Sequence, residues 1–324
     1  MTQDVQERLA PPLRRACRLS GARVRALHDP EAMSWPPRRI LVGTDFSDSA
    51  EAAFRAGAAL ARRVGAKLDL LHVLPDRPES VIGYEPLDAL LFRDAPDGGA
   101  AALSRLEALA RRVAPELTQA HVVEGEPVAE LVALRDRLDV DLVALGAGCM
   151  RSMRRFILGS VAGKMLGHPG CPLLLVAEAP AAGEFKKILI AQENPRVASP
   201  WLEIGLSLAH VERSEISLLH VLPPRGYLSD SHHIELEPQR APARLSALLA
   251  RLDPTVPAQV IVRSGEAGQE IASAARELGV HLLVLGAERN RIDGSPGPVV
   301  NRIARSGPPA FLVIWPERES DEDY

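Results

Sequence analysis

Two glycine-bearing stretches, Gly146-Ala147-Gly148-Cys149 and Gly159-Ser160-Val161-Ala162, carry residue types that can hold a phosphate. Glycines directly after a strand let backbone N–H groups approach an anion. A Gly-Ser pair opening a helix adds a hydroxyl and the field of the helix N-terminus. The rival reading is that glycine loops of this kind are tight turns only. A carboxylate, Asp45, stands just past an apolar run in Gly43-Thr44-Asp45-Phe46-Ser47-Asp48-Ser49, where Ser47 or Asp48 could cap the helix that follows. Arg151, Arg154 and Arg155 lie between the glycine stretches, either as a solvated loop face or with one of them approaching a triphosphate. No nucleophile, base and orienting group converge in the sequence, so no catalytic residue is assigned.

The remaining reactive types read as structure. His72 and His220 sit inside apolar runs without partner ligands, as hydrogen-bonded sheet histidines do, and no metal ligand set is expected. His232-His233 reads as loop. Cys149 reads as an inert residue, with a redox-sensitive thiol as the alternative.

The elements that must position these residues occur twice. Leu70-Leu71-His72-Val73-Leu74-Pro75 returns letter for letter at 218–223, an offset of 148. At the same offset Arg39-Ile40-Leu41-Val42 lies over Lys187-Ile188-Leu189-Ile190. Further on, Val140 to Ala147 lies over Val280 to Ala287, and Gly125-Glu126 over Gly265-Glu266, at an offset of 140. Cys171 to Val176 faces Pro309 to Ile314 at 138. Matches in one order over a whole domain length mean a duplicated domain with deletions in the second copy. Apolar runs at 39–44, 67–74, 118–124, 141–146 and 172–177 read as strands buried on both faces. Ala/Leu/Arg-rich stretches of helical spacing lie between them, such as Ala50, Ala53, Phe54, Gly57, Ala58 and Ala61. Strand alternating with helix gives a parallel sheet with helices on both faces. In such a sheet ligands bind beyond the carboxyl ends of the strands, where strand order reverses.

Composition fits two ordinary α/β domains. The chain has 324 residues, 46% hydrophobic and 25% charged, with only 4% aromatic, so Leu, Val, Ile and Ala must build the core. A net charge of −4 offers no basic field for nucleic acid. Three cysteines, Cys17, Cys149 and Cys171, fit a reducing cytoplasm rather than a disulfide framework. No apolar run approaches a membrane span, and no secretory signal is visible. Residues 1–37 read as a basic tail, with six arginines and no acid between Arg8 and Arg25. An amphipathic partner- or membrane-binding helix, or translation from Met33, are the alternatives there. Residues 317–324 read as an acidic tail.

The stretches Ile40 to Ala50 and Asp141 to Val176 resemble the opening and closing halves of a universal stress protein (UspA-like) domain. Nucleotide-binding members of that family carry G-x2-G-x9-G-[ST], and Gly146, position 149 and Gly159-Ser160 fit its spacing. The resemblance is strong over 38–178 and weaker over 186–316. It implies two tandem doubly wound, Rossmann-like domains of the adenine nucleotide alpha hydrolase-like type, each with a five-stranded parallel sheet, spanning 38–180 and 186–316. It also implies ATP or a related nucleotide, with Mg, in the first copy. Asp45 would lie on the adenine and ribose side and Val73 by the base, with Gly43 also counted in the binding set. Gly146, Cys149, Gly159, Ser160 and Val161 would hold the phosphates, and Gly148 could take over part of the second-glycine role. Cys149 departs from the motif, because it stands where the second glycine belongs. The second copy departs further: Gln192-Glu193 replaces Thr44-Asp45, Arg289 holds the second-glycine position and Pro298 replaces Ser160, so no ATP is expected there. Family members commonly pair through their fifth strands, which implies an intramolecular pseudo-dimer through 172–177 and 309–315, or a homodimer. The function implied is a cytoplasmic stress-response regulatory module. A nucleotide-independent interaction module and a slow ATPase are the alternatives.

Overall fold

The structure is a computed structural model. It describes residues 35–74, 98–116, 118–148, 158–168, 170–178, 184–224, 237–253, 257–287, 297–306 and 308–315. Cys17, Cys149, the loop arginines 151, 154 and 155, His232, His233, Arg289, residues 1–34 of the basic tail and the acidic tail lie outside them.

The first copy runs β1 (Arg39–Gly43), α1 (Asp48–Val64), β2 (Lys67–Leu74), α2 (Gly98–Val113), β3 (Thr118–Glu124), α3 (Pro127–Leu138), β4 (Leu142–Gly146), α4 (Ser160–Met165) and β5 (Leu173–Val176). The second repeats it as β6 (Lys187–Ala191), α5 (Pro200–Glu212), β7 (Glu215–Leu222), α6 (Glu237–Leu252), β8 (Ala258–Ser264), α7 (Ala267–Glu277), β9 (Leu282–Gly286), α8 (Pro298–Ser306) and β10 (Ala310–Ile314). The repeated LLHVL run is thus the second strand of each copy.

The ten strands form one sheet in the order β3-β2-β1-β4-β5-β10-β9-β6-β7-β8. Each half is parallel throughout, as the alternation of strand and helix requires. The halves meet antiparallel, β5 against β10, with Leu174 opposite Leu312 and Leu175 opposite Phe311. Two five-stranded sheets therefore close into one.

The inner strands are largely apolar on both faces because helices cover both, while the edge strands β3 and β8 are only partly buried. On one face Ile40, Val42, Ile188 and Ile190 pack under α1, α2, α5 and α6. On the other, Leu41, Val143, Leu189 and Leu283 pack under α3, α4, α7 and α8. Each core is continuous across the seam between the copies. Polar contacts reinforce that seam: Arg63 on α1 forms ion pairs with Glu184 and, at 3.0 Å, with the fully buried Glu212 of α5. Glu212 also accepts the Phe185 N–H at 3.2 Å.

Candidate functional site

In the first copy the chain moves from β1 outward to β2 and β3, then returns to the other side of β1 as β4. Strand order therefore reverses between β1 and β4, and a crevice at their carboxyl ends is the expected result. A cavity of about 120 Å³ lies there, and Gly43, Asp45, Val73, Gly146 and Val161 all line it. Pro127 and Leu131 of α3 close it from one side. Sequence reasoning missed those two, although Gly125-Glu126 marks the turn that delivers α3: Glu126 caps that helix by accepting the Ala129 N–H at 2.8 Å. The volume suits a single ring better than a whole nucleotide, since pockets for complete ligands run to roughly 300 Å³ and more.

The segment after β1 is built by short-range hydrogen bonds. Thr44 donates its N–H to the Leu71 carbonyl, and its hydroxyl accepts from the Phe46 N–H at 3.0 Å. Asp45, exposed at the rim, accepts the Ser47 N–H at 2.9 Å. Of the two caps considered for α1, Ser47 is the one used, accepting from the Ala50 N–H. His72 donates from Nδ1 to the Thr44 carbonyl at 2.8 Å, which fixes the strand exit beside the cavity. In the second copy His220 does the same to the Gln192 carbonyl at 2.9 Å. Both histidines are thus hydrogen-bonded sheet residues, and no cluster able to hold a metal occurs among the described residues. The Phe46 ring lies 4.5 Å from the His72 ring and 4.1 Å under the Arg105 guanidinium, a stack that the sequence gave no reason to expect.

The glycine elements converge as their spacing requires. Gly146 ends β4 against the start of α1: a Cβ there would sit 2.6 Å from the Ala50 nitrogen and 2.8 Å from the Ser49 carbonyl carbon. Gly148 turns the chain with φ +76°, a conformation that favours glycine. The positive-φ turn therefore falls at Gly148, one residue before Cys149. Gly159 donates its N–H to the Ala147 carbonyl at 2.9 Å, which pins the two glycine stretches together. Ser160 then opens α4, whose first turn has no side-chain cap. Its leading N–H groups consequently lack intrahelical partners.

At the equivalent strand ends of the second copy, β6 and β9, a tryptophan packs on the face that α5 covers. Trp201, in the first turn of α5, donates its indole N–H to the Ala191 carbonyl at the end of β6, at 2.8 Å. Its ring lies against Gly286 at the end of β9, where a Cβ would be 2.6 Å from ring carbons. The loop before α5 is longer than its counterpart, and Gln192 holds it together. Its amide donates to the Asn194 and Val197 carbonyls at 2.7 Å each and accepts the Ser199 hydroxyl at 2.6 Å. The Thr44→Gln exchange is thus tied to a rebuilt loop. Trp201 was not singled out from the sequence; the available signal was a bulky aromatic just inside the helix after the first strand.

Elsewhere, the Cys171 thiol is desolvated enough that burial pushes its pKa up to about 12, although part of the residue reaches solvent. This is the opposite of a reactive thiolate's environment. No helix among the described residues is long and apolar enough to cross a membrane.

The model of the Universal stress protein family matches twice, over residues 36–177 and 184–314. A Staphylococcus haemolyticus relative named for that family is 28% identical over 164 residues, which is 50% of this chain and 93% of the relative. Among solved structures, a protein of unknown function from Pseudomonas aeruginosa PAO1 aligns with a TM-score of 0.63 at 16% identity, over 87% of this chain and 94% of its own. A universal stress protein from Archaeoglobus fulgidus aligns at 0.61 and 15% identity, over 86% of this chain and 98% of its own. At such identities these structures bear on the fold alone.

Proposed function

The chain belongs to the universal stress protein family, and from that premise we propose that its first copy holds an adenine nucleotide while its second is a closed partner domain. The observation that carries the reading is the asymmetry at the two switch points. In the first copy Gly43, Asp45, Val73, Gly146 and Val161 line an open cavity. In the second, Trp201 on α5 bridges the corresponding strand ends, from Ala191 to Gly286, where the first copy has only the small Ser49 and Ala50.

On this reading the base enters beside Val73, and Asp45 accepts from the ribose or base edge. The phosphates lie over Gly146 and Gly148 toward the uncapped start of α4, where Gly159, Ser160 and Val161 supply N–H groups and a hydroxyl. Mg would accompany the phosphates as their counter-ion. Gly148, with φ +76°, supplies a left-handed glycine one position before Cys149. Family membership supports reading the whole as a stress-response regulatory module, with nucleotide occupancy as its signal.

Calorimetric titration of nucleotide-stripped protein with Mg-ATP tests this, with mass spectrometry of anything released on denaturation. The expected result is one site per chain, lost on Asp45→Ala combined with Ser160→Ala. Absence of both binding and carried-over nucleotide would overturn it in favour of a nucleotide-independent interaction module.

A further inference from the structure

At the amino ends of the strands, away from the crevice, the copies diverge in a second way. In the first copy Arg135, in the last turn of α3, is buried. Its guanidinium Nη1 donates to the His168 carbonyl at 3.0 Å and its Nε to Asp136 at 2.8 Å. It fills the space beneath Gly170, where a Cβ would lie 2.6 Å from its Cζ.

The counterpart of Arg135 is Ala275. The Val140 N–H donates to the Arg135 carbonyl at 3.0 Å, and the Val280 N–H to the Ala275 carbonyl at 3.1 Å. Strand register agrees, since Val143 pairs with Leu173 and Leu283 with Phe311. His168, Gly170 and Cys171 therefore correspond to Ser306, Pro308 and Pro309. With the arginine gone, a cavity of about 280 Å³ lies there, walled by Ala275, Leu283, Ile303 and Pro309. Ser306 and Arg276 are also in its lining, and Arg276, which replaces Asp136, is exposed. Arg276 spends its Nε on the Ala272 carbonyl at 3.3 Å.

The chemistry of this space follows from the copy in which it is full. The last turns of α7 and α8 converge on it, and a helix C-terminus carries partial negative charge. In the first copy the guanidinium answers the His168 carbonyl, whose counterpart by register is that of Ser306 at the end of α8. In the second, the donor inside is missing and a cation stands at the rim. A ligand complementary to both ends carries a guanidinium to place inside and a carboxylate to leave on Arg276. We propose that this cavity binds a small guanidino acid, of the class of free arginine, with its guanidinium at the Ser306 end and its alkyl chain along Leu283, Ile303 and Pro309.

The test is calorimetry on the full chain with L-arginine, using guanidinium chloride and sodium butyrate as the two half-ligands. Saturable arginine binding is expected with a Kd of about 1 mM or tighter. Guanidinium should bind more weakly and compete, and butyrate should not bind. Ala275→Arg rebuilds the arrangement of the first copy and should abolish arginine binding with melting temperature unchanged or raised. If that variant fails to fold, Ala275→Met fills the same space without a charge and should also abolish binding. Arg276→Gln should weaken arginine several-fold and leave guanidinium unaffected. No saturable arginine binding, binding that survives filling of the cavity, or binding of butyrate in preference to guanidinium would each overturn the proposal.

Discussion

Replacing Gly146 by alanine probes the packing that shapes the crevice. The added Cβ would sit 2.6 Å from the Ala50 nitrogen, 2.8 Å from the Ser49 carbonyl carbon and 2.8 Å from the Ser49 hydroxyl. Two of these are main-chain atoms in the first turn of α1, held by the Ser47 cap and by Phe54 and Ala53 in the core. No rotamer change can relieve the clash, so β4 and α1 must move apart by several tenths of an ångström. Overpacking of this kind costs about 1–3 kcal/mol. At about 2–4 °C per kcal/mol, the melting temperature should fall by about 2–12 °C. The same displacement widens the cavity between Gly43, Asp45 and Gly146, so nucleotide affinity should fall as well. Gly159→Ala is the matched control: the nearest atom to its Cβ is the Ala147 oxygen at 3.9 Å, and its φ is an ordinary −57°. That variant should melt within about 0.5 kcal/mol of the parent. Differential scanning calorimetry on both variants decides the matter. If Gly146→Ala melts with the parent, the close approach of β4 to α1 is not a constraint and the account of the crevice built on it is wrong.

Two further outcomes follow from the ionisable groups. Burial is the largest influence on Glu212 and pushes its carboxyl above the usual 4.5, against the pull of Arg63 and the Phe185 N–H. A raised folded pKa means the folded chain binds the proton more tightly, so this contribution is fully present below the unfolded value and is lost as pH rises through the folded one. Arg63→Ala should cost about 2–3 kcal/mol, short of the ~3–5 for a fully buried pair because Arg63 keeps 24% of its side-chain exposure. The deficit should be larger at about pH 8 than at about pH 5, and adding Glu212→Gln should flatten that pH dependence; urea unfolding at both pH values would show it. With Cys17 and Cys149 replaced by serine, Cys171 should resist a thiol reagent at about pH 8 until the protein is unfolded, because a thiol near pKa 12 holds almost no thiolate. Prompt labelling of the native chain would contradict its burial.

The fold was legible because duplication wrote it twice. Five apolar runs in the first copy, bounded by turn residues and matched in order by the second, left little freedom in element type, and the LLHVL repeat set the correspondence between copies. Of the candidate site, the residues at strand ends were readable because position after a strand implies position at the crevice: Gly43, Asp45, Val73 and Gly146 all line it. What could not be read was whatever depends on side chains reaching across elements. Trp201 and Phe46 each look like ordinary loop or helix residues in sequence, and only the sheet brings one onto Gly286 and the other under Arg105. Loop length hid the first of these. Ser47 and Ser199 cap corresponding helices, yet they lie at an offset different from that of the strands before them, so alignment by strand pairs Trp201 with the wrong residue.

The divergence of the copies makes physical sense once the seam is considered. β5 pairs with β10, both cores run across the join, and Arg63 reaches the buried Glu212, so neither half is exposed as a free surface at that edge. A sheet continuous over both copies lets either crevice be lost without loss of the fold, because the strands under it are held by neighbours on both sides. The second copy could therefore trade Thr44 and Ser49 for Gln192 and Trp201, and Arg135 for Ala275, with the sheet beneath unchanged in register. The second copy has a tryptophan bridging the ends of β6 and β9 and a pocket at its helix ends where the first copy has Arg135. One chain thus carries two differently placed cavities on one scaffold.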